Sequence, residues 1–217
     1  MPALKGAFID IGTGLLGAVP NIVVFQFNPE TITRSPMLAQ PPRPPGGAGE
    51  EDASEQPDEP SESISFTLRI DASDQLAQSD PLAASSGILP TLYALELLMV
   101  PRSSFSADLS DLAGQASAKS TQLILPQVLF VWGVYRILPV TMTSLSITET
   151  QYDTRLNPVR ADVSVSLQVM VPSQIATSSA LARGAYQYSQ KVKQVMAALN
   201  IANAAEIGVN AISAIAL

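Results

Sequence analysis

The chain contains no histidine and no cysteine in its 217 residues. A thiol nucleophile, a histidine general base, a disulfide and a metal site built on these side chains are therefore excluded. An enzyme that uses a serine–lysine pair or a pair of carboxylates is not excluded. The candidate carboxylates are Asp71, Asp74 and Asp80. The sequence has no nucleophile elbow, phosphate loop or metal-ligand spacing. We therefore predict a protein that is not an enzyme and uses no cofactor or metal.

Basic residues are few, with 12 Lys and Arg against 19 Asp and Glu and a net charge of −7. They form no cluster that follows a phosphate backbone, so we expect no nucleic-acid partner. Most of the acidity lies between Pro36 and Ser63, where seven acids and one Arg sum to −6. The acids are Glu50, Glu51, Asp52, Glu55, Asp58, Glu59 and Glu62. This Pro-rich segment is typical of a solvated, mobile insertion within one domain.

Uninterrupted apolar runs of membrane-spanning length are also missing. Asp10 breaks the apolar N-terminus, and we expect no secretion signal there. The apolar tail, Val195–Leu217, contains Asn200, Asn203 and Glu206, each costly in hydrocarbon. The pattern favours a helix packed against protein over a membrane helix.

Alternating apolar and polar residues predict a mainly β fold with some helix. The predicted strands are Ile22–Asn28, Ile64–Ile70, Gln127–Gly133, Val140–Thr150 and Val159–Val171. The pattern of Gln127–Gly133 is interrupted at Gly133 and resumes at Val134–Pro139. A short helix is predicted at Thr91–Val100 between two prolines, and a long one from Ala180 to the end. The polar stretch Ser103–Thr121 is interpreted as a loop.

The longest predicted strand gives the clearest pattern. Val159–Val171 places Val and Ala on one face and Arg160, Asp162, Ser164 and Ser166 on the other, so one side of the sheet should be wet. Hydroxyl residues at 141, 143, 144 and 146 suit the same face. Their parity differs, however, and they share a face only across a β-bulge.

Four segments in this order resemble the tube-like domain of contractile injection system baseplate proteins. They are VFQFNPETITRS (24–35), LPTLYALELLMVP (89–101), LFVWGVYRILPVTMTSLSITETQYD (129–153) and LNPVRADVSVSLQVMV (156–171). The resemblance covers about 19–172. It implies a phage tail-tube-like antiparallel β-sandwich or barrel at 1–172, with the acidic insertion at 36–63. Residues 173–217 are then a C-terminal helical extension.

The resemblance implies a homo-hexameric ring adaptor that joins the spike or hub protein to the inner tube. Its expected partners are those proteins or a tube-initiator protein, with baseplate wedge proteins as further candidates. The expected location is the bacterial cytoplasm during assembly, then a phage-tail-like particle. Many members of the family continue into a LysM module, for which we find no counterpart after Pro172.

Eight residues are assembly or lumen candidates under this resemblance. Phe27, Asn28 and Pro29 form either a plain turn or one that docks a neighbouring ring. Trp132 is either a core residue or an interface anchor. Arg160 and Asp162 pair either across subunits or within the chain surface. Ser164 and Ser166 line either a hydrated channel or an ordinary wet face.

Two alternatives to the adaptor stay open at this point. Within the same machine, the chain fits an inner tube or tube-initiator protein, although the acidic insertion and tail favour the adaptor. From a different class, it fits a membrane-interacting or effector protein that acts through its apolar C-terminal helix.

Overall fold

The fold is a seven-stranded antiparallel sheet with a few helices, in a computed structural model that describes residues 4–11, 20–38, 60–101, 126–175 and 179–215. The strands are β1 (Ala7–Asp10), β2 (Ile22–Val24), β3 (Ile32–Leu38), β4 (Pro60–Asp71), β5 (Val128–Val131), β6 (Ile137–Tyr152) and β7 (Pro158–Val169). The helices are α1 (Ser73–Ala77), α2 (Pro81–Ser86), α3 (Leu89–Glu96), a 3-10 turn (Pro172–Gln174) and α4 (Ala180–Ile215). The predicted mainly β fold is confirmed, and the sandwich or barrel detail stays a prediction.

The sheet is organised around its three longest strands. The strand order is β2-β1-β5-β6-β7-β4-β3, and each neighbouring pair is antiparallel. Strands β4, β6 and β7 span 12, 16 and 12 residues. Ile64, Phe66 and Leu68 of β4 lie on the buried face, and the residues between them are at least partly exposed. The period-two pattern therefore assigns the two faces of these strands correctly.

One hydrophobic core covers the buried face. Phe8, Phe25, Phe66 and Phe130 form its aromatic centre, with neighbouring ring centroids 5.0–6.4 Å apart. Buried leucines from α3 and the turn after it join the same cluster: Leu92, Leu95 and Leu98. Burying each such side chain stabilises the fold by roughly 1.5–3 kcal/mol, which fixes α3 against the sheet.

Several element boundaries differ from the sequence predictions. The strand predicted at Ile22–Asn28 ends at Val24, because the Gln26 side chain turns to bond the main chain of Asp71. The segments predicted at 134–139 and 140–150 contribute to one strand, β6, which follows a turn at Gly133 with φ +69°. Strands β1 and β3 and helices α1 and α2 were not predicted. The predicted loop at 103–121 lies outside the described residues.

The predicted insertion at 36–63 is too wide at both ends. Residues 36–38 belong to β3 and residues 60–63 belong to β4, and residues 36–38 pair with residues 60–62. Glu62, predicted to be solvated, is buried. The cause is an ion-pair network that offsets the cost of burying its carboxylate. The rest of the predicted insertion, 39–59, lies outside the described residues.

The long helix α4 is attached to the sheet by its first turns. Ala182, Ala185 and Ser189 are buried, and Ala182 packs with Met170 and Ile175 in a second small cluster. Two polar contacts add to this packing. The Tyr188 hydroxyl donates to the Val134 carbonyl at 2.8 Å, and Lys193 Nζ lies 3.1 Å from Glu62 Oε2. From Lys193 to Ile201 every residue is exposed, so the helix projects from the body.

Glu62 connects β3, β4 and α4. Its carboxylate, whose side chain is only 6% exposed, accepts from Arg34 Nε on one oxygen and from Lys193 Nζ on the other. Burial alone would raise the pKa of Glu62. The hydrogen bonds and charges of Arg34 and Lys193 outweigh that cost and lower the pKa below its ordinary value. Glu62 is therefore an ionised anchor for the start of α4.

We predict that Glu62→Gln lowers the thermal midpoint at pH 7, by the equivalent of about 1–3 kcal/mol of unfolding free energy. A carboxylate with a lowered folded-state pKa contributes its full stabilisation above its unfolded-state pKa. That stabilisation is lost as the pH falls through the folded-state value. The midpoint gap between wild type and variant should therefore shrink below about pH 4.3. Glu96→Gln, on the exposed face of α3, is the control. A gap that stays constant down to pH 3 contradicts the role of Glu62.

A second prediction concerns Gly87, where α2 meets the start of β7. Gly87 has φ +57°, and a Cβ there would lie 2.1 Å from the Pro158 carbonyl oxygen, which also accepts from Ile88 N–H. Gly87→Ala should destabilise the fold by about 2–4 kcal/mol in urea unfolding. Gly184→Ala is the matched control, because its Cβ would meet nothing within 4 Å. Because Gly184 lies inside α4, Gly184→Ala should leave the free energy of unfolding unchanged or raise it by up to about 1 kcal/mol. Equal effects of the two changes would refute this account.

Candidate assembly face and its edges

A hydroxyl-rich face runs across four adjacent strands, β3, β4, β7 and β6. The cross-strand rows place Thr67 beside Ser164 and Ser146, and Ser65 beside Ser166 and Ser144. The hydroxyls of Thr67 and Ser164 lie 3.3 Å apart. Ser164 is exposed and Ser166 is partly exposed. Both predicted lumen residues thus lie near the middle of one wet sheet face, opposite the core.

A β-bulge extends this face onto β6. The register shifts between Met142 and Ser144, so Thr141 pairs with Gln168 on the polar side and Ser144 pairs with Ser166 on the same side. The Thr143 hydroxyl, at the bulge, donates to the Ser166 carbonyl at 3.1 Å. The parity conflict seen in the sequence is resolved by the extra residue, as a bulge allows.

The two predicted charged residues pair within their own chain. Arg160 Nη2 lies 2.5 Å from Asp71 Oδ2, and Arg69 Nε lies 3.2 Å from Asp162 Oδ1. Each pair joins directly opposed positions of β4 and β7. The two pairs thus form a charged strip beyond the hydroxyl rows, at the end of the sheet where β4 finishes and β7 begins.

Asp71 is the best-anchored member of this strip. Its side chain is 15% exposed, and besides Arg160 it accepts from the Ser73 amide at 2.8 Å. Burial raises the pKa of Asp71, but the bonds from Ser73 and Arg160 and the Arg160 charge outweigh this and lower it. Gln26 bonds both the amide and the carbonyl of Asp71, at 2.9 and 2.6 Å. Asp71 therefore fixes the end of β4 to the segment that leads into β3.

Five of the eight predicted site residues line one cleft of about 630 Å³ at this end of the sheet. They are Phe27, Asn28, Pro29, Arg160 and Asp162. The remaining lining residues are Glu30, Thr31, Thr67, Arg69 and Asp71. We call this the cleft end. The opposite end, where Leu38, Pro60, Val134 and α4 lie, is the α4 end.

The turn residues at the cleft have distinct roles. Asn28 accepts from the Gly6 amide at 2.9 Å and donates to the Leu4 carbonyl at 2.8 Å, so it holds the chain just before β1. Phe27 is 46% exposed and offers an apolar surface beside the charged strip. Asn28 is thus a structural residue of the turn, and Phe27 is available for contact.

Trp132 lies away from this cleft. It is partly buried against the core, with its ring stacked on Phe130 at a centroid distance of 6.2 Å and tilted against Phe25 at 6.4 Å. Of the two interpretations of Trp132, this placement favours the core residue. Nearby Tyr135 is 64% exposed.

Sequence reasoning missed Arg69 as a partner of Asp162 and Asp71 as a partner of Arg160. The sequence did indicate that Arg69 is on the wet face, because Arg69 lies on the polar side of the alternation in β4. The register that pairs β4 with β7 was not available from either strand alone. Of the carboxylates considered for catalysis, Asp71 is ion-paired and Asp80 caps α2 by accepting from the amides of Leu82 and Ala83.

Two strand edges flank the hydroxyl face. Among the described residues, β3 pairs with β4 alone, and β5 pairs with β6 only at Ile137–Val140. Within the same part of the chain, the side of β6 facing away from β7 has no strand partner over residues 141–152. Open edges present free backbone donors and acceptors that another chain can pair with.

No family model matches the chain, and no curated protein is significantly similar to it. No helix within the described ranges is long and apolar enough to cross a membrane.

We predict different costs for removing the two acids of the charged strip. Asp71→Asn should lower the free energy of unfolding by about 1–2 kcal/mol, because it weakens bonds to Arg160 and the Ser73 amide at a largely buried site. Asp162→Asn, the matched control on a pair whose side chains are 64% and 42% exposed, should cost about 0.5 kcal/mol or less. Urea unfolding checks both values. A larger cost for Asp162→Asn would invert this ranking.

Proposed function

We propose that this chain is a structural subunit of a contractile injection system, a ring adaptor between the spike or hub and the inner tube. The observation that carries the proposal is the four-stranded unit β3-β4-β7-β6, which has a hydroxyl-rich wet face opposite the core. Among the described residues, its outer edges have no strand partner along β3 and along residues 141–152 of β6. The sequence resemblance to tube-like baseplate domains supports the same function.

The strand directions permit copies to join in a ring. Strand β3 is antiparallel to β4, β4 to β7 and β7 to β6, so β3 and β6 run in opposite directions. When copies are related by rotation about an axis close to the strand direction, β3 of one copy meets β6 of the next antiparallel. The sheet then continues from copy to copy, a head-to-tail arrangement that closes for a suitable rotation angle. Six copies are expected from the resemblance.

Pro36 lies on β3, the proposed joining edge. Proline lacks an amide proton and is tolerated in sheets mainly at edges. Its position fits an edge strand, and it removes one possible donor near the α4 end. We therefore place the strongest pairing between copies at Ile32–Ser35.

The hydroxyl face would then form the wall of the central channel. Ser164, Ser166, Ser144 and Ser146 offer uncharged groups that water solvates well and that hold passing cargo weakly. Arg160 and Asp162 are neutralised by partners in their own chain, so they add little net charge to the wall.

The two ends of the subunit differ, as an adaptor requires. The cleft end presents Phe27 beside a charged strip. The α4 end presents the projecting helix, with Val195, Leu199 and Ile201 each more than half exposed. An inner tube protein stacks head to tail on copies of itself, so its two ends must complement each other. A projecting apolar helix and a charged cleft are poorly complementary, which favours the adaptor over the tube or tube-initiator function.

The exposed apolar residues of α4 also favour a second candidate, a membrane-interacting or effector protein. In that case the chain should float with liposomes, and truncation after Pro172 should abolish the flotation. Under the adaptor proposal, flotation is absent and α4 contacts another protein of the particle.

We predict that the purified chain, or the particle containing it, gives rings with six-fold symmetry in negative-stain images. Sedimentation velocity at rising concentration should show a monomer and a hexamer as the main species, because a closed ring leaves no β3 or β6 edge without a partner. Neighbouring genes for a sheath and a spike would agree with this proposal. A chain that stays monomeric within its own particle would refute it.

A further inference from the structure

We propose that the cleft of one copy is completed by the neighbouring copy of this chain. Residues 146–152 of β6 in that neighbour pack against the turn at 27–31, and the neighbour's Tyr152 covers Phe27. The inference rests on the proposed function, because only the ring brings these two segments together. It adds a second contact to the joint between β3 and β6.

The two edges that join differ in length. Within the described part of the chain, β6 has no strand partner on its outer side over residues 141–152, whereas β3 spans only Ile32–Leu38. Ile32, the first residue of β3, lies in the cross-strand row that contains Leu145 of β6. Rotation about an axis along the strands keeps each row at its own height on that axis. Residues 146–152 therefore extend past the start of the neighbour's β3.

The turn at 27–31 lies at the height of this overhang. It lines the cleft together with polar residues of β4, and Gln26, which precedes it, bonds the main chain of Asp71. The β4 residues of the cleft are Thr67, Arg69 and Asp71, and their rows continue through β7 to Ser146, Thr148 and Gln151 of β6. In the ring, the overhang of one copy thus meets the turn of the next.

The facing side chains suit a contact between proteins. Phe27 is 46% exposed and Tyr152 is 53% exposed, and Gln26 and Tyr152 both lie beside the row of Asp71 and Gln151. Exposed aromatic residues are frequent anchors of interfaces, and burying their apolar surface is favourable. The ion pairs of the charged strip lie within each copy, so closing the cleft separates no charged pair.

The overhang is held in shape before it meets a neighbour. At the tip of the β6–β7 hairpin, Asp153 accepts from the amides of Arg155 and Asn157 at 2.7 and 2.8 Å. Asn157 Nδ2 also donates to the Ser85 carbonyl of α2 at 3.2 Å. A rigid segment loses little conformational entropy when it binds. The hairpin can therefore dock as a preformed edge.

Cysteine crosslinking of the assembled ring tests the contact. A Glu30→Cys, Thr148→Cys chain has one thiol on the turn and one on the overhang, both at exposed positions. The turn leads into β3, which is three strand spacings, about 14 Å, from β6 of the same copy. Across the joint the two segments are neighbours. A short bismaleimide should therefore link copies into a ladder that ends at six.

Thr141→Cys in place of Thr148→Cys gives the matched control. Thr141 and Thr148 pair with Gln168 and Asp162 of β7, which are about 20 Å apart along the strand. Glu30→Cys with Thr141→Cys should therefore give no ladder.

Tyr152→Ala should raise the concentration at which half of the chain is assembled about tenfold in sedimentation velocity, the effect of losing one aromatic anchor. Tyr93→Ala is its control, because Tyr93 is 55% exposed on α3 and lies outside the joint. It should leave assembly unchanged. Urea unfolding of the dilute chain checks that both variants fold. Equal shifts in assembly for the two variants would overturn the inference.

A separate pair of thiols distinguishes this contact from the ring itself. Thr33→Cys with Ser144→Cys lies in one cross-strand row and reports the β3–β6 joint alone. A ladder from this pair without one from Glu30→Cys, Thr148→Cys would overturn the cleft contact and leave the ring standing. The absence of both ladders would overturn the ring and the cleft contact together.

Discussion

The antiparallel pairing of β7 with β4 on one side and β6 on the other is the interaction on which the rest of the structure depends. β7 pairs with ten consecutive residues of β4 and with most of the length of β6. This ladder sets which side chains face the core and which face water. A slip of one residue would expose Val163 and Val165 and bury Ser164. The core, the hydroxyl face and the charged strip all follow from this one register.

The sequence predicted the faces of the long strands but not their partners. Alternation over Ile64–Ile70 and Val159–Val171 is strong because one side of each strand is dry. No comparable signal marked β3, where Arg34 lies on the core side of an edge strand, or the bulge after Met142. Both features depend on contacts with residues far along the chain, which a local pattern cannot contain.

Glu62 illustrates the same difficulty for a single residue. In sequence it belongs to an acidic run, and composition predicts that it is solvated. In the fold it lies between Arg34 and Lys193, which is 131 residues away. For the candidate site, the alternating pattern predicted the hydroxyl face, and the gathering of Phe27, Asn28 and Pro29 with Arg160 and Asp162 required the three-dimensional structure.

The central claim is that β3 of one copy pairs with β6 of the next, and cysteine crosslinking tests it most directly. Because the chain has no cysteine, a Thr33→Cys, Ser144→Cys chain has one thiol on each proposed edge, in the same cross-strand row. Treatment of the assembled ring with a short bismaleimide should give a ladder of covalent species that ends at six copies. Ser65→Cys in place of Thr33→Cys puts the thiol on interior strand β4 and should give no ladder. No ladder from the edge pair, or an equal ladder from the interior control, would contradict the account.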